Sequence, residues 1–335
     1  NFDPLPDAPA VQRPERVRLR VDACEAEAEL VVDARYRVPA RLARGRSRRS
    51  ARQVILPARL TLRLCEGLDR VDVGVDVDNT ARDHRLRAHL RAPFRAERFD
   101  VESAFEVARR PIAPGRDAFG PGPAEQPLGT TPQRAFATLS AGARAYSVAN
   151  RGSSEVEAVH EPDGNSSLAV TVLRAVGWLA RGDLALRPSP AGPLLETPGA
   201  QLLGPQRAEL SFRLHAANDP ARSAEAHRFG QPAWLFAGGG PEGPLADGSR
   251  LFELDDPEVV VSAVEPRPSG NVLLRCYNAS PRSRRVRLRW RGGRKLAALD
   301  LAERPTPDPP LQRQADASVM LSLRPWQIVS LLASD

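Results

Sequence analysis

The sequence predicts an all-β protein: a large, many-stranded β-sandwich followed by a small β-sandwich. Three observations carry this. Apolar residues recur with period two in run after run. The 335 residues include 32 prolines and 24 glycines, which leaves little room for long helices. The alternation gives each strand one buried and one wet face, an arrangement that antiparallel sheets tolerate and parallel sheets usually do not. A sandwich buries one face of each of two such sheets.

The runs justify the elements in order. Leu60, Leu62 and Leu64 alternate with Thr61, Arg63 and Cys65, and Val71, Val73, Val75 and Val77 with Asp72, Gly74, Asp76 and Asp78. Leu210, Phe212 and Leu214 alternate with Ser211 and Arg213, and Val286, Leu288 and Trp290 with Arg287 and Arg289. The arginines belong on the solvated faces, where they discourage edge-to-edge pairing. Three stretches interrupt the pattern. Arg41 to Arg52 carries six arginines around Gly45 and reads as a solvated hairpin loop. Pro111 to Pro132 has no period and reads as a long loop. Gln231 to Asp247 contains Gly238-Gly239-Gly240, which lacks the strand-turn-helix context of a phosphate cradle.

A boundary is expected near residue 257. Residues 1–256 then form the large sandwich. Residues 257–335 form the small one, with strands at Val259 to Val261, Val272 to Tyr277, Val286 to Trp290, Val319 to Leu323 and Ile328 to Leu332. The earlier part is too long for a simple immunoglobulin-like unit, and no fixed-period repeat is visible.

Composition bounds the function. The net charge is +7, but the bases are arginines apart from the single Lys295, and aromatics are only 5%. That pattern reads as codon bias, since a nucleic-acid surface interleaves bases with stacking aromatics. No nucleic-acid partner is expected. No apolar run is long enough to span a bilayer, so no membrane partner is expected either. Cys24, Cys65 and Cys276 are far apart and odd in number, which argues against a disulfide framework or a zinc finger and for reduced, cytoplasmic thiols. The sequons at Asn165 and Asn278 read as chance matches in turns. The chain starts at Asn1, its only methionine is Met320, and its opening Asn-Phe-Asp-Pro-Leu-Pro is unlike a signal peptide. It is expected to be the C-terminal portion of a longer protein.

A search for catalytic chemistry returns little. His84, His89, His160, His215 and His227 form no HExxH, HxH or HxD. His84 and His89 are five apart, so a strand places them on opposite faces. Asp72, Asp76 and Asp78 share a strand face, but calcium needs oxygens converging from a tight loop. Glu155 and Glu157 also share a face, yet paired carboxylates signify a glycosidase only when they flank a sugar across a cleft. No GxSxG, no P-loop and no Cys/His pair with local context occurs.

Six segments in order carry more information. They are Val75 to Arg87 (VDVDNTARDHRLR), Asn150-Arg151-Gly152, Leu168 to Leu184 (LAVTVLRAVGWLARGDL), Thr197 to Gln201 (TPGAQ), Leu273 to Asn278 (LLRCYN) and Ala298 to Pro305 (ALDLAERP). Together they resemble the C-terminal β-domain region of glycoside hydrolase family 38, the α-mannosidases, in its bacterial form. The resemblance runs from about Val54 to the end, and Gly177-Trp178 and TPGAQ are its most specific parts. It implies a galactose-mutarotase-like supersandwich ahead of the small sandwich. It also implies a parent enzyme that hydrolyses α-mannosides with retention through a covalent glycosyl-enzyme. In that parent an N-terminal α/β barrel holds a zinc ion, an aspartate nucleophile and the general acid, followed by a helical bundle.

None of those catalytic groups falls in the matched region, so this chain is expected to carry no catalytic residue, no metal ligand and no cofactor, and to be inactive alone. Its implied partners are the N-terminal catalytic domain of the same polypeptide and an α-mannoside. Arg174, Arg181 and Asp183 are the candidates for the edge of the active site, where an arginine can hydrogen-bond sugar hydroxyls or a carboxylate. The bland alternative makes Arg181-Gly182-Asp183 a polar turn after a buried strand and Arg174 an interdomain ion pair. Trp178 can stack on a sugar, but Val176, Trp178 and Ala180 read as one buried strand face. The competing functions are a stand-alone carbohydrate-binding sandwich without catalysis and a structural interaction domain.

Overall fold

The computed structural model describes residues 13–112, 129–184, 187, 189–190, 192–233, 248–291 and 294–334. The chain divides into two compact units. One comprises Asn1–Val101 and Arg109–Ala217, the other Glu102–Ala108 and Asn218–Asp335. Strands dominate both.

The strands up to residue 217 are β1 (Arg16–Ala23), β2 (Glu27–Pro39), β3 (Gln53–Cys65), β4 (Val71–Asn79), β5 (His84–Ala92), β6 (Arg98–Glu102), β7 (Val107–Arg110), β8 (Thr130–Pro132), β9 (Phe136–Ala141), β10 (Arg144–Asn150), β11 (Glu155–His160), β12 (Ser166–Ala175) and β13 (Gly204–Ala216). They form a nine-stranded sheet, β1-β2-β3-β4-β13-β10-β9-β6-β7, and a four-stranded sheet, β5-β12-β11-β8. The alternation read from the sequence is the alternation of burial. Val73, Val75 and Val77 on β4 and Leu210 on β13 pack with Leu90 on β5 and Leu168 and Val170 on β12 in one core. Each such fully buried side chain contributes about 1.5–3 kcal/mol relative to exposure. Strands β4 and β13, 125 or more residues apart in sequence, are direct neighbours, with Leu210 opposite Val73 and Ala208 opposite Val75.

Strand β12 carries a bulge. Thr171 pairs with Arg87 and Leu173 with Leu86, so Val172 is the extra residue. Before it Leu168 and Val170 face the core; after it Leu173 is buried and Arg174 is exposed.

The second unit is a small sandwich. Its strands are β14 (Phe252–Leu254), β15 (Val259–Pro266), β16 (Val272–Asn278), β17 (Arg284–Trp290), β18 (Lys295–Leu299), β19 (Leu311–Arg313), β20 (Val319–Leu323) and β21 (Ile328–Ser334). Two sheets, β14-β17-β20-β19 and β15-β16-β21-β18, enclose Leu274, Cys276, Val286, Leu288, Leu321 and Leu331. Phe252 stacks on Trp290 with ring centroids 5.4 Å apart. Helix α1 (Arg222–Gly230) is the one α-helix among the described residues. Its His227 Nε2 lies 2.7 Å from Oε1 of the buried Glu102, and Tyr277 donates its hydroxyl to the same oxygen at 3.0 Å. Segment Glu102–Ala108 is thereby fixed within this unit, with Phe105 edge-on to Tyr277 at 5.3 Å.

Several local readings are corrected. Val176, Trp178 and Ala180 do not form a buried strand face: β12 stops at Ala175, and the half-buried Trp178 makes only an isolated bridge with Glu196. The Pro111–Pro132 stretch ends in strand β8, paired with β11; its residues 113–128 lie outside the described residues, as do residues 234–247 with the glycine triplet. The 41–52 segment is a hairpin extension bridged at Leu42 and Arg49, but it is not wholly solvated, because Arg49 turns inward.

Candidate functional site

The most specific sequence segments converge in the first unit. Asn79 ends β4 with its side chain buried. Its Nδ2 donates to the Gln201 and Leu202 carbonyls at 3.0 and 2.9 Å, and its Oδ1 accepts from Ala81 N at 3.2 Å. The last bond is an Asx-type turn, which asparagine favours because its amide imitates the backbone. The turn reaches Asp83, held at φ 57°. Asp83 N donates to Gln201 Oε1 at 2.9 Å, and Gln201 Nε2 donates back to Asp83 Oδ1 at 2.7 Å.

Gln201 closes a 3-10 turn, Pro198–Gln201, with Pro at its first position, where the missing N–H costs nothing. This turn is stitched to the chain leaving β12: Val176 N donates to Ala200 O at 3.0 Å and Thr197 N to Gly177 O at 2.8 Å. A side chain in place of Gly177 would crowd this contact, since a Cβ there would lie 3.1 Å from Gln201 Nε2 and 3.7 Å from Asp83 Oδ1. The TPGAQ and Gly177 motifs are thus the two sides of one hydrogen-bonded knot.

The hairpin extension locks onto the same turn. Arg49 donates to the Asp83 carbonyl, to Pro39 O at 3.1 Å and to Arg82 O at 3.3 Å, while Leu42 N donates to Asp83 Oδ2 at 3.2 Å. Burial lowers the Arg49 pKa and the charge of Asp83 opposes that. Beside them His84 is pushed down to about 4, first by burial and then by the Arg49 charge. Neither of its ring nitrogens has a hydrogen bond of good geometry. Sequence reasoning missed Arg49 and His84, because neither shows its long-range partner in the local pattern.

The knot supports the segment that carries two of the three candidates. Arg181 grips Asp183 with two bonds, Nε to Oδ1 at 2.8 Å and Nη2 to Oδ2 at 2.7 Å. Arg46 of the hairpin extension approaches Asp183 at 3.7 Å. The hydrogen bond from Arg181 is the main cause that holds the Asp183 carboxyl below its usual range. Asp183 remains mostly exposed. Arg174 is placed elsewhere, on β12, 3.7 Å from Glu155, which also takes Arg85 at 3.5 Å and the Thr171 hydroxyl at 2.6 Å. The structure therefore joins Arg181 with Asp183 and leaves Arg174 in an ion pair of its own.

Other groupings carry less chemistry. Ser147 Oγ lies 2.7 Å from His215 Nε2, and His215 Nδ1 donates to Ala216 O at 2.8 Å, an arrangement like a nucleophile and its base. The Ser147 hydroxyl is buried and also bonded to Thr138 at 2.7 Å, so it serves a cross-strand ladder over β9, β10 and β13. His89 lies 3.1 Å from Glu161, on the face opposite His84. Asp72 pairs with Arg70 and Asp76 with Arg207. Among the described residues no three of His, Cys, Asp and Glu converge as metal ligands. The residues described here do not fit a zinc ion, and no chemical step is derived through one. The Asn278 sequon is a structural device: its amide, fully buried, donates to Arg282 O at 2.8 Å and Arg324 O at 2.9 Å. No helix among the described residues is long and apolar enough to cross a membrane.

Comparison with known proteins defines the class. Residues 258–331 match the family described as "Glycosyl hydrolases family 38 C-terminal beta sandwich domain". The chain is 24% identical over 286 residues to a Halalkalibacterium halodurans protein provisionally named a mannosylglycerate hydrolase, covering 84% of this chain and 29% of that protein. Two Enterococcus faecalis structures share the fold over 96% of this chain. One is an α-mannosidase, with a TM-score of 0.77 and 19% identity; the other is a protein in glycosyl hydrolase family 38, with a TM-score of 0.75 and 18% identity. The chain spans 35% and 37% of those two chains. The family 38 C-terminal β-sandwich domain is thus matched by residues 258–331, and the chain as a whole shares the all-β fold of the two Enterococcus faecalis structures.

Proposed function

We propose that this chain is the non-catalytic C-terminal portion of a family 38 α-mannosidase, whose parent hydrolyses α-mannosides with retention. In this reading it packs on the N-terminal catalytic barrel, which holds the zinc, and presents Arg181 and Asp183, with Arg174 nearby in sequence, at the edge of the active site. One observation carries the reading. The Asn79–Asp83–Gln201 knot supports the chain leading to a charged pair whose carboxylate stays exposed. A fixed, outward-facing carboxylate and guanidinium are suited to hydrogen-bond sugar hydroxyls, and ionised partners make the stronger bonds. We place the functional boundary at residue 257, next to the matched segment that starts at 258, and the parent in the cytoplasm.

The test is made in the parent enzyme. Arg181→Ala and Asp183→Asn should raise KM for an aryl α-mannoside or lower kcat by at least tenfold, while the thermal unfolding of the 335-residue chain carrying the same change stays within a few degrees. Unchanged kinetics reduce the pair to a surface turn. An upstream reading frame without a barrel, together with direct mannoside binding by this chain, would favour a stand-alone carbohydrate-binding module.

A further inference from the structure

The edge strand β1 is exposed along its whole length and on both faces. Its two faces are unlike. Arg16, Arg18 and Arg20 lie on one side, continuous with an ion-pair ladder across β2 and β3: Arg20 with Glu29 at 4.0 Å, Arg63 with Glu29 at 2.8 Å, and Arg59 with Asp33 at 2.7 Å. The other side is apolar. Val17, Leu19 and Val21 pair with Ala34, Val32 and Leu30 of β2, which pair with Ala58, Leu60 and Leu62 of β3. That row continues into Val77, Val75 and Val73 of β4, which belong to the core. The core face of the large sheet therefore runs on past the edge of the core. Out there Val17 is 46%, Leu19 68%, Val21 69% and Leu64 52% exposed. A contiguous apolar patch of this kind marks an interaction surface, whereas scattered single residues need no explanation.

We infer that the apolar face of β1–β3, centred on Leu19, Val21 and Leu64, is a docking surface for the polypeptide upstream of this chain. This rests on the reading that the chain is the C-terminal portion of a longer hydrolase, and it lies apart from the Arg181–Asp183 segment. Two observations select the occupant. The relatives are about three times longer than the stretch matched here, and β1 starts at residue 16. In that reading the upstream chain is tethered a short distance from the patch, so docking is intramolecular and a modest apolar area suffices. A second copy pairing β1 to β1 is disfavoured. An antiparallel pair centred on Leu19 sets Arg18 against Arg20 on one face, and like charges directly opposite are destabilising. The arginines thus guard the open edge, while the face beside it is left apolar for a partner that covers it.

The experiment compares the 335-residue chain with its full-length parent by amide hydrogen exchange over residues 16–23 and by thermal unfolding of Leu19→Asp. Exchange is expected to be slower in the parent by about tenfold or more, since covered ladders open less often. Leu19→Asp should leave the unfolding temperature of the 335-residue chain nearly unchanged and lower that of the parent by about 5 °C. Should the parent variant fail to fold, Leu19→Thr keeps strand preference and reports on the same face. Equal exchange in an active parent overturns the inference without touching the reading it rests on. Concentration-dependent dimerisation of the 335-residue chain, abolished by Leu19→Asp, assigns the face to a second copy and also overturns it. Absence of any upstream hydrolase region removes both readings together.

Discussion

Asp83 and Gln201, 118 residues apart, exchange two hydrogen bonds, one from the Asp83 backbone and one to its carboxylate. The pair ties the β4–β5 turn to the 3-10 turn, and Gly177 lies close beside it, where a Cβ would come within 3.1 Å of the Gln201 amide.

Removing that exchange is expected to be costly. Gln201→Ala should destabilise the 335-residue chain by about 2–3 kcal/mol, because one lost bond is to a carboxylate and the Asp83 N–H loses its acceptor. Gly177→Ala should cost about 1 kcal/mol by pressing on the Gln201 amide. Urea unfolding of both variants checks this. If Gln201→Ala is as stable as the wild type, the knot is not a stabilising element.

Stability should fall in mild acid through His84. Its folded pKa, about 4, lies below the unfolded value of about 6.5. The unfolded chain therefore binds the proton first, and stability declines as pH drops through that window. The contribution is roughly 2–3 kcal/mol between pH 7 and pH 4. His84→Leu removes the titrating group, so the difference in unfolding free energy between wild type and variant should shift with pH over this interval. A constant difference contradicts the assignment.

Thiol reactivity should separate the cysteines. Cys24 is exposed, whereas Cys276 is buried and its thiol is pushed up to about 12 by burial. The thiolate is the reactive species. A maleimide at neutral pH should label Cys24 in the native chain and Cys276 only after denaturation. Mass spectrometry of the digested protein reads the result, and native labelling of Cys276 would show that the small sandwich opens readily.

The 335-residue chain alone is expected to release no aryl leaving group from α-mannosides, with or without added zinc. No trio of metal-ligating side chains converges among its described residues. Steady turnover by purified chain, free of host mannosidase, would refute this.

The core strands were legible because period-two alternation is local: β3, β4, β13 and β17 could each be read from a few consecutive residues. Their order was not. That β4 lies beside β13 depends on pairing across more than a hundred residues. The site divides the same way. Gly177 and TPGAQ were visible as motifs, but Arg49 looked like one solvated arginine among six, and its role appears only with the Asp83 and Pro39 carbonyls in place. The Glu102, His227 and Tyr277 grouping was invisible for the same reason. Trp178 misled because alternation was carried past Ala175, the end of β12, as far as Ala180.

The extra residue in β12 acts like a change of reading frame. Since strand side chains alternate, Val172 inverts the sidedness of everything after it. Arg174 faces water because of that inversion; a regular ladder that took in Val172 would aim Arg174 into the core and turn Leu173 outward. The chain that follows, through Val176 and Gly177 to the knot, would arrive rotated by half a turn. Deleting Val172 itself restores a regular ladder with Leu173 still opposite Leu86, so that deletion is expected to be tolerated, whereas a further one-residue insertion in this stretch is not. Related sequences that lack the extra residue should still carry an apolar side chain at the place of Leu173 and a polar one at the place of Arg174.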